Sequence, residues 1–435
     1  MSGVELGLAV IGLLLVLIAL RMPIGFALTG ASFIGLWVMM GWRVAWGSLG
    51  VIPYQFAANW VLSSVPMFLL LGFICYHTKL TQGLFNAARL WLSALPGGLA
   101  IASIFGASGF AAVSGSSVAC SATMGRIAIP EMLKARYHPE LATGTLAAAG
   151  TIGALIPPSI ILILYGIIAQ IPVTGLFLGG LVAGILTAIG YIIVILVRVK
   201  LDPSLAPSTS ERAPMSEKMA ALKETWPVIL LIIAIFGGLF SGVFTPTEAG
   251  ATGAFTALLI AGLKRTLTVK AFIDSILETV TTTSSLIIIG IGASLLTRFL
   301  ALSGTGDFLS AAVLSLGADP MVIIIGIVVL YLILGMFLEP IGAMLLTLPI
   351  VLPIVSESGF SLLWFGILLC KLLEIGMITP PVGMNVFVIK SVTGNLISTT
   401  AIFRGVLWFL VMDLLMVALY ILWPDLILAL PAAFG

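Results

Sequence analysis

Apolar runs recur along the whole chain, separated by short clusters of polar and basic residues. The first extends from Leu6 to Leu20 and the last from about Gly405 to Leu422. A hydrocarbon core of about 30 Å takes roughly 20 helical residues to cross, so such runs predict membrane-spanning helices. Spans are expected near 5–20, 23–41, 59–78, 141–170, 173–197, 225–242, 246–263, 276–299, 361–389 and 403–423. Two further apolar stretches, 98–133 and 320–356, do not fit as single crossings, because the charges flanking each return to the side they left. Both are read as re-entrant hairpins. The expected fold class is an all-α polytopic membrane protein with about ten transmembrane helices and two re-entrant hairpins.

The positions of the basic residues orient these spans. Sixteen of the 19 Lys and Arg fall in one alternating set of loops: Arg21; Lys79 and Arg89; Arg126, Lys134 and Arg136; Arg198 to Lys223; Lys264 to Lys270; Lys390 and Arg404. Basic residues accumulate in cytoplasmic loops, so this set is expected inside and the amino terminus outside. Ser210 is then cytoplasmic, and the turns at Pro172 and Thr247 face the opposite side. Arg43 and Arg298 lie on that opposite side, and Lys371 falls within a span.

Composition adds exclusions. Hydrophobic residues make up 60% of the chain and charged residues 8%, where a soluble domain is about a quarter charged. The net charge of +2 is too small and too dispersed for a nucleic-acid surface. Forty-seven glycines and 22 prolines point to broken helices, which membranes tolerate where neighbours re-satisfy the freed backbone. Cys75, Cys120 and Cys370 are isolated in apolar segments and read as small core residues. The amino terminus lacks a positive n-region and carries Glu5, so the first helix is expected to be retained. No GxSxG, HExxH or GxxxxGK[ST] motif occurs, which leaves no P-loop and no recognisable enzyme constellation.

Sliding the chain against itself by 223 residues aligns its Gly and Pro punctuation without gaps. Pro23 meets Pro246, Gly83 meets Gly306, Pro130 meets Pro353, Gly153 meets Gly376, and Pro157-Pro158 meets Pro380-Pro381. We read residues 1–199 as a first repeat, 200–224 as a polar cytoplasmic linker and 225–435 as a second repeat. Each repeat holds five spans and one hairpin, and an odd number of crossings places the second upside down. Inverted repeats of this kind let two halves exchange inward-open and outward-open states around a midplane site, which favours a secondary transporter. The segment Leu80 to Leu95 sets Leu84, Phe85, Ala88, Trp91 and Leu92 opposite Gln82, Asn86 and Arg89, as suits an interfacial helix or an amphipathic loop helix.

Chemistry concentrates at the hairpin tips and broken spans. The first tip reads Ser114-Gly115-Ser116-Ser117, and the span after it breaks at Gly153 to Ser159; two adjacent prolines remove amide donors and open the helix. The freed carbonyls can be met by Ser or Thr side chains and water, or by a dehydrated cation such as sodium. The second half offers Gly335 to Pro340 and Gly376 to Asn385. Among intramembrane ionisable groups, Lys371 and Glu374 lie three apart and can neutralise each other. Asp413 can pair with a neighbouring helix or subunit. Glu339 at the second tip can touch an ion, gate the hairpin or accept from backbone amides. His77 and His138 lie at span edges and read as interfacial.

The segments VSGSSVACSATMGRIAIPEM, GTIGALIPPS and EIGMITPPVGMNVFVIK together resemble the DctM-like large permease subunit of tripartite ATP-independent periplasmic (TRAP) transporters, over essentially the full chain. The resemblance implies an elevator-type carrier in the bacterial inner membrane. It is driven by sodium as the coupling ion and works with a small membrane subunit and a periplasmic substrate-binding protein. Carried over by position, one sodium site involves Ser114, Ser116, Gly153, Leu155 and Pro158, and a second Gly335, Glu339, Gly376 and Thr379. Between the hairpins it implies a site for a small carboxylate, with Ser117 and Asn385 as polar contacts. A stand-alone anion or sodium/proton carrier of related fold, and a channel or scaffold subunit without its own transport cycle, remain alternatives at this point.

Overall fold

The structure is a computed structural model that describes residues 2–207, 213–315 and 319–434; Ser210 and the middle of the expected linker lie outside them. The described residues form helices joined by short turns. The first half contains α1 (Gly3–Ala19), α2 (Ile24–Met40), α3 (Trp42–Ala57), α4 (Ser64–His77), α5 (Gln82–Leu92), α6 (Gly98–Ser114), α7 (Ser117–Lys134), α8 (Pro139–Thr151), α9 (Ile160–Ala169) and α10 (Val173–Leu201). There follow α11 (Met215–Lys223), α12 (Trp226–Ile232), α13 (Gly238–Phe240), α14 (Pro246–Leu263), α15 (Val269–Ser303), α16 (Thr305–Ser315) and α17 (Pro320–Gly335). The chain ends with α18 (Pro340–Glu357), α19 (Leu362–Gly376), α20 (Met384–Thr393), α21 (Thr399–Leu422) and α22 (Asp425–Phe434).

Element bounds recur at the spacing read from the glycines and prolines. Helix α5 and α16, and likewise α7 and α18, start and end 223 residues apart. The Pro157-Pro158 and Pro380-Pro381 bonds, both cis, keep the same offset. Several helices end on a basic residue in the left-handed region: Arg21 after α1, Lys79 after α4, Arg136 after α7 and Arg265 after α14. A cation there sits beside the unpaired carbonyls of the helix end, which it stabilises electrostatically.

Several elements differ from the sequence-based expectation. By length and composition, four helices among the described residues can each cross a membrane, and six when Trp42–His77 and Met215–Phe240 count as bent spans. The expected crossings at 141–170 and 361–389 are not continuous helices. Each is two short helices, α8 with α9 and α19 with α20, because the double prolines stop the hydrogen-bond ladder. The span at 59–78 is preceded by α3, bent 58° from it. Its counterpart α15 is instead one helix of 35 residues, about 52 Å at 1.5 Å per residue and far longer than a bilayer core. Helices α16 and α22 were not foreseen. The linker is more than a solvated connector, since α11 packs on α5 and Trp91 Nε1 donates to the Lys218 carbonyl at 3.2 Å.

Apolar side chains on the outer surface, among them Phe26, Trp37, Ile193, Phe255 and Leu407, are exposed. Each would forgo about 1.5–3 kcal/mol of burial in water, a penalty that lipid removes. Inside, α2, α3 and α4 pack on α15, and α4 also on α14, while α7, α8, α20 and α21 pack mainly on one another, with α6 bridging from α7 and α8 to α5 and α4. The three cysteines are buried and free, Cys370 facing the Ala154 carbonyl at 3.2 Å.

Candidate functional site

Each hairpin tip lies against a broken span, and the contacts are backbone to backbone. At the first tip Gly115 adopts φ +63°, and a Cβ added there would sit 2.1 Å from the Pro158 carbonyl oxygen. A side chain at Gly153 would meet the Ser116 carbonyl oxygen at 2.8 Å. In the second half, a Cβ at Gly376 would fall 2.5 Å from the Gly335 Cα. Glycine permits these approaches because it brings no Cβ. Ser114, Ser116, Gly153 and Pro158 are thus brought together, as are Gly335 and Gly376. Leu155 is buried with its carbonyl turned toward Gly180 of α10. Thr379 donates to the Ile375 carbonyl at 2.7 Å, within its own helix end.

The tips are capped at equivalent positions by different chemistry. The Ser116 hydroxyl accepts from the Ala119 amide at 3.4 Å and opens α7, whereas Glu339 Oε2 accepts from the Gly342 amide at 2.9 Å and opens α18. Of the roles considered for Glu339, the structure displays the hydrogen bond to backbone amides. Both residues face one open cavity of about 580 Å³, which α4, α15, the two tips and the ends of the broken spans line. Ser114, Ser117 and Glu374 line it too; Asn385 does not. Asn385 is buried behind it, its Nδ2 donating to the Ala147 carbonyl at 3.4 Å and its Oδ1 unpartnered. The two polar contacts expected for a substrate are therefore separated.

The intramembrane charges pair otherwise than their sequence spacing implies. Lys371 does not pair with Glu374: its Nζ contacts Asp413 Oδ1 at 2.5 Å and Thr187 Oγ1 at 3.1 Å. Asp413 also accepts from the Tyr191 hydroxyl at 2.8 Å, and that hydroxyl meets Thr151 Oγ1 at 2.8 Å. Buried charges are tolerated when paired and hydrogen-bonded, and this network does both. Glu374 is left to the first hairpin, where the Ser117 hydroxyl donates to its carboxylate. His77 sits 3.2 Å from Glu278 at the cavity rim, while His138 caps α8.

Three features escaped the sequence reading. Glu374 was assigned to its neighbour on the helix; Thr281, Thr282 and Ser285 line the cavity from α15; and Ser121 is a buried hydroxyl without a hydrogen-bond partner. The hydroxyl run TVTTTSS inside an apolar helix is a signal that could have found the α15 residues. Among the described residues, no group of three or more His, Cys, Asp or Glu gathers as a metal site.

The family model described as "Tripartite ATP-independent periplasmic transporter, DctM component" matches residues 11–426. The sialic acid TRAP transporter large permease protein SiaM of Vibrio cholerae is 32% identical over 423 residues, 95% of each chain. The C4-dicarboxylate TRAP transporter large permease protein DctM of Pseudomonas aeruginosa is 34% identical, covering 89% of this chain and 90% of its own. The fold is similar to the crystal structure of the Alcanivorax borkumensis YdaH transporter, with a TM-score of 0.62 at 16% identity and 90% of both chains covered. With the family model spanning nearly the whole chain, and helices of this length and apolarity, the chain belongs to the DctM family of TRAP transporter large permeases, multi-pass proteins of the bacterial inner membrane.

Proposed function

We propose that the chain is the membrane permease of a sodium-coupled carrier that takes up a small carboxylate by an elevator-type, alternating-access movement. The observation that carries the reading is the seating of each hairpin tip on a broken span, with glycine contacts at both places. A cation leaving water for the middle of a membrane needs several fixed oxygens in place of its hydration shell. At the first tip those oxygens are the Ser114 and Ser116 hydroxyls with the carbonyls near Gly153, Leu155 and Pro158. At the second they are Glu339, the Thr379 hydroxyl and the backbone around Gly335 and Gly376.

The cavity between the tips is the proposed carboxylate site, with Ser117 in its wall, its hydroxyl given to Glu374, and Asn385 buried outside the lining. The 223-residue offset supports two halves of opposite orientation, joined by the cytoplasmic linker. The packing of α7, α8, α20 and α21 on one another, apart from α2, α3 and α15, supports a moving unit beside a fixed one. A small membrane subunit and a periplasmic substrate-binding protein complete the machine; the relatives named for sialic acid and for C4-dicarboxylates support the substrate class.

The test is reconstitution of the chain with its small subunit and binding protein in proteoliposomes, measuring uptake of labelled carboxylates with and without an inward sodium gradient. Concentrative uptake only with sodium and all three components is expected. Robust uptake by the permease alone would instead make it a stand-alone carrier.

A further inference from the structure

The charges around the cavity do not balance. Three carboxylates line it, Glu278, Glu339 and Glu374, and among the described lining residues there is no Lys, Arg or His. Glu278 has His77 beside it at the rim, and Glu339 is held by the Gly342 amide. Glu374 has neither kind of support. It is buried two residues from the carboxyl end of α19, and the nearest cation along that helix, Lys371, is committed to Asp413. Among the described residues, no basic side chain stands within ion-pair distance of Glu374. Its named partner is the neutral Ser117 hydroxyl on the first hairpin tip.

A carboxylate in a low-dielectric interior with one neutral hydrogen-bond donor is costly, and a cation arriving through the cavity removes that cost. A second observation points to the same place. Ser114 Oγ is buried, lines the cavity beside Ser117 across the Gly115 turn, and has no hydrogen-bond partner. A neutral oxygen lacking a donor and a carboxylate lacking a cation thus stand at one hairpin tip.

We propose that Glu374 is the anionic ligand of a monovalent cation bound at the first hairpin tip, with Ser114 as a neutral ligand and Ser117 positioning the carboxylate. The proposal rests on the sodium-coupled reading above and adds to it a charged ligand from the opposite half of the chain. It also resolves a conflict within that reading, since an organic anion entering an acid-lined cavity needs positive charge that the lining side chains do not supply. The bound cation supplies it, so its loading precedes the anion.

The test is sodium titration of the purified full-length chain in detergent, with choline chloride keeping ionic strength constant and thermal unfolding as the readout. Glu374→Gln is expected to need at least ten times more sodium than wild type for the same rise in unfolding temperature. In sodium-free choline it is expected to unfold at a higher temperature than wild type, because an amide replaces an unpaired charge. A merely structural Glu374 would give the reverse, a lower sodium-free temperature with an unchanged sodium midpoint, and that outcome overturns the proposal. Should Glu374→Gln not fold, Ser117→Ala keeps the charge and reads the same site, with an expected weakening of several-fold; an unchanged midpoint overturns the proposal. If Ser116→Ala weakens sodium binding and Glu374→Gln does not, the proposal fails while the sodium-coupled reading stands. If sodium does not stabilise even the wild-type chain, the sodium-coupled reading fails with it.

Discussion

The two hairpin tips share a backbone plan and differ in what they carry. Ser116 and Glu339 occupy equivalent places 223 residues apart, each capping the returning helix of its hairpin. The same offset sets Ala148, Thr151 and Gly190 of the first half against Lys371, Glu374 and Asp413 of the second. The first half therefore offers hydroxyls and small residues where the second offers charge. The common spacing goes with the same geometry of close approach but with different electrostatics, so either half alone is a poor guide to the other's chemistry.

The largest effect that would break this comparison is steric. A methyl at Gly376 meets three Gly335 backbone atoms at 2.5 to 2.6 Å, and one at Gly153 meets the Ser116 carbonyl at 2.8 Å with its carbon at 3.0 Å. Backbone cannot swing aside as a flexible side chain does. Gly376→Ala is expected to abolish sodium-driven uptake in reconstituted vesicles and Gly153→Ala to reduce it by at least tenfold, while Gly326→Ala, with open space around it, leaves uptake within twofold of wild type. Equal losses at 153 and 376 would show that the two tips seat equally tightly.

Charge comes next. Lys371→Met strands Asp413 in the interior and is expected to cost about 3–5 kcal/mol of stability, as for a broken buried pair. The double change Lys371→Met with Asp413→Leu, which gives the second half the uncharged character of Ala148 and Gly190, is expected to recover most of that loss. Thermal unfolding of the single and double variants measures both. A double variant as unstable as the single would mean that the pair holds the helices in register rather than merely cancelling charge.

The smallest effects lie at the caps. Ser116→Ala is expected to destabilise α7 by about 1 kcal/mol, the usual cost of a lost N-cap. Glu339→Ser, which copies the first tip into the second, keeps a capping oxygen and is expected to change stability by less than that. It should nevertheless raise the sodium concentration for half-maximal uptake, because a charge has left the cavity. Hydrogen exchange at the Ala119 and Gly342 amides, with sodium titration of uptake, separates the two contributions.

Much of the architecture was legible because prolines and glycines act locally. The double prolines at 157 and 380 forced the breaks wherever the helices packed, and the ungapped register followed from them. Charge pairing was not legible. Lys371 and Glu374, three apart on one helix, form an ordinary pair by local rules. The structure turns Lys371 toward Asp413, 42 residues away, and Glu374 toward Ser117, 257 residues away. Such partners depend on how α19, α21 and α7 cross, which local patterning does not encode. Helix α3 was missed because its polar and aromatic positions, Trp42 to Ala57, lack a long apolar run. Asn385 was expected as a polar contact for the substrate, yet packing buries it outside the cavity lining, against the Ala147 carbonyl.

The network around Lys371 has an evolutionary consequence. Its charged members, Lys371 and Asp413, come from one half of the gene and the hydroxyls around them from the other: Thr187 accepts from Lys371, and Tyr191, itself bonded to Thr151, donates to Asp413. Two copies of the later fragment would keep the Lys371–Asp413 pair but lose its hydroxyl partners, and two copies of the earlier one would hold the hydroxyls without the charges. An ancestor assembled from identical halves would have lacked this division of labour. An engineer who wishes to split the gene must co-express both fragments, since each has become the other's missing complement.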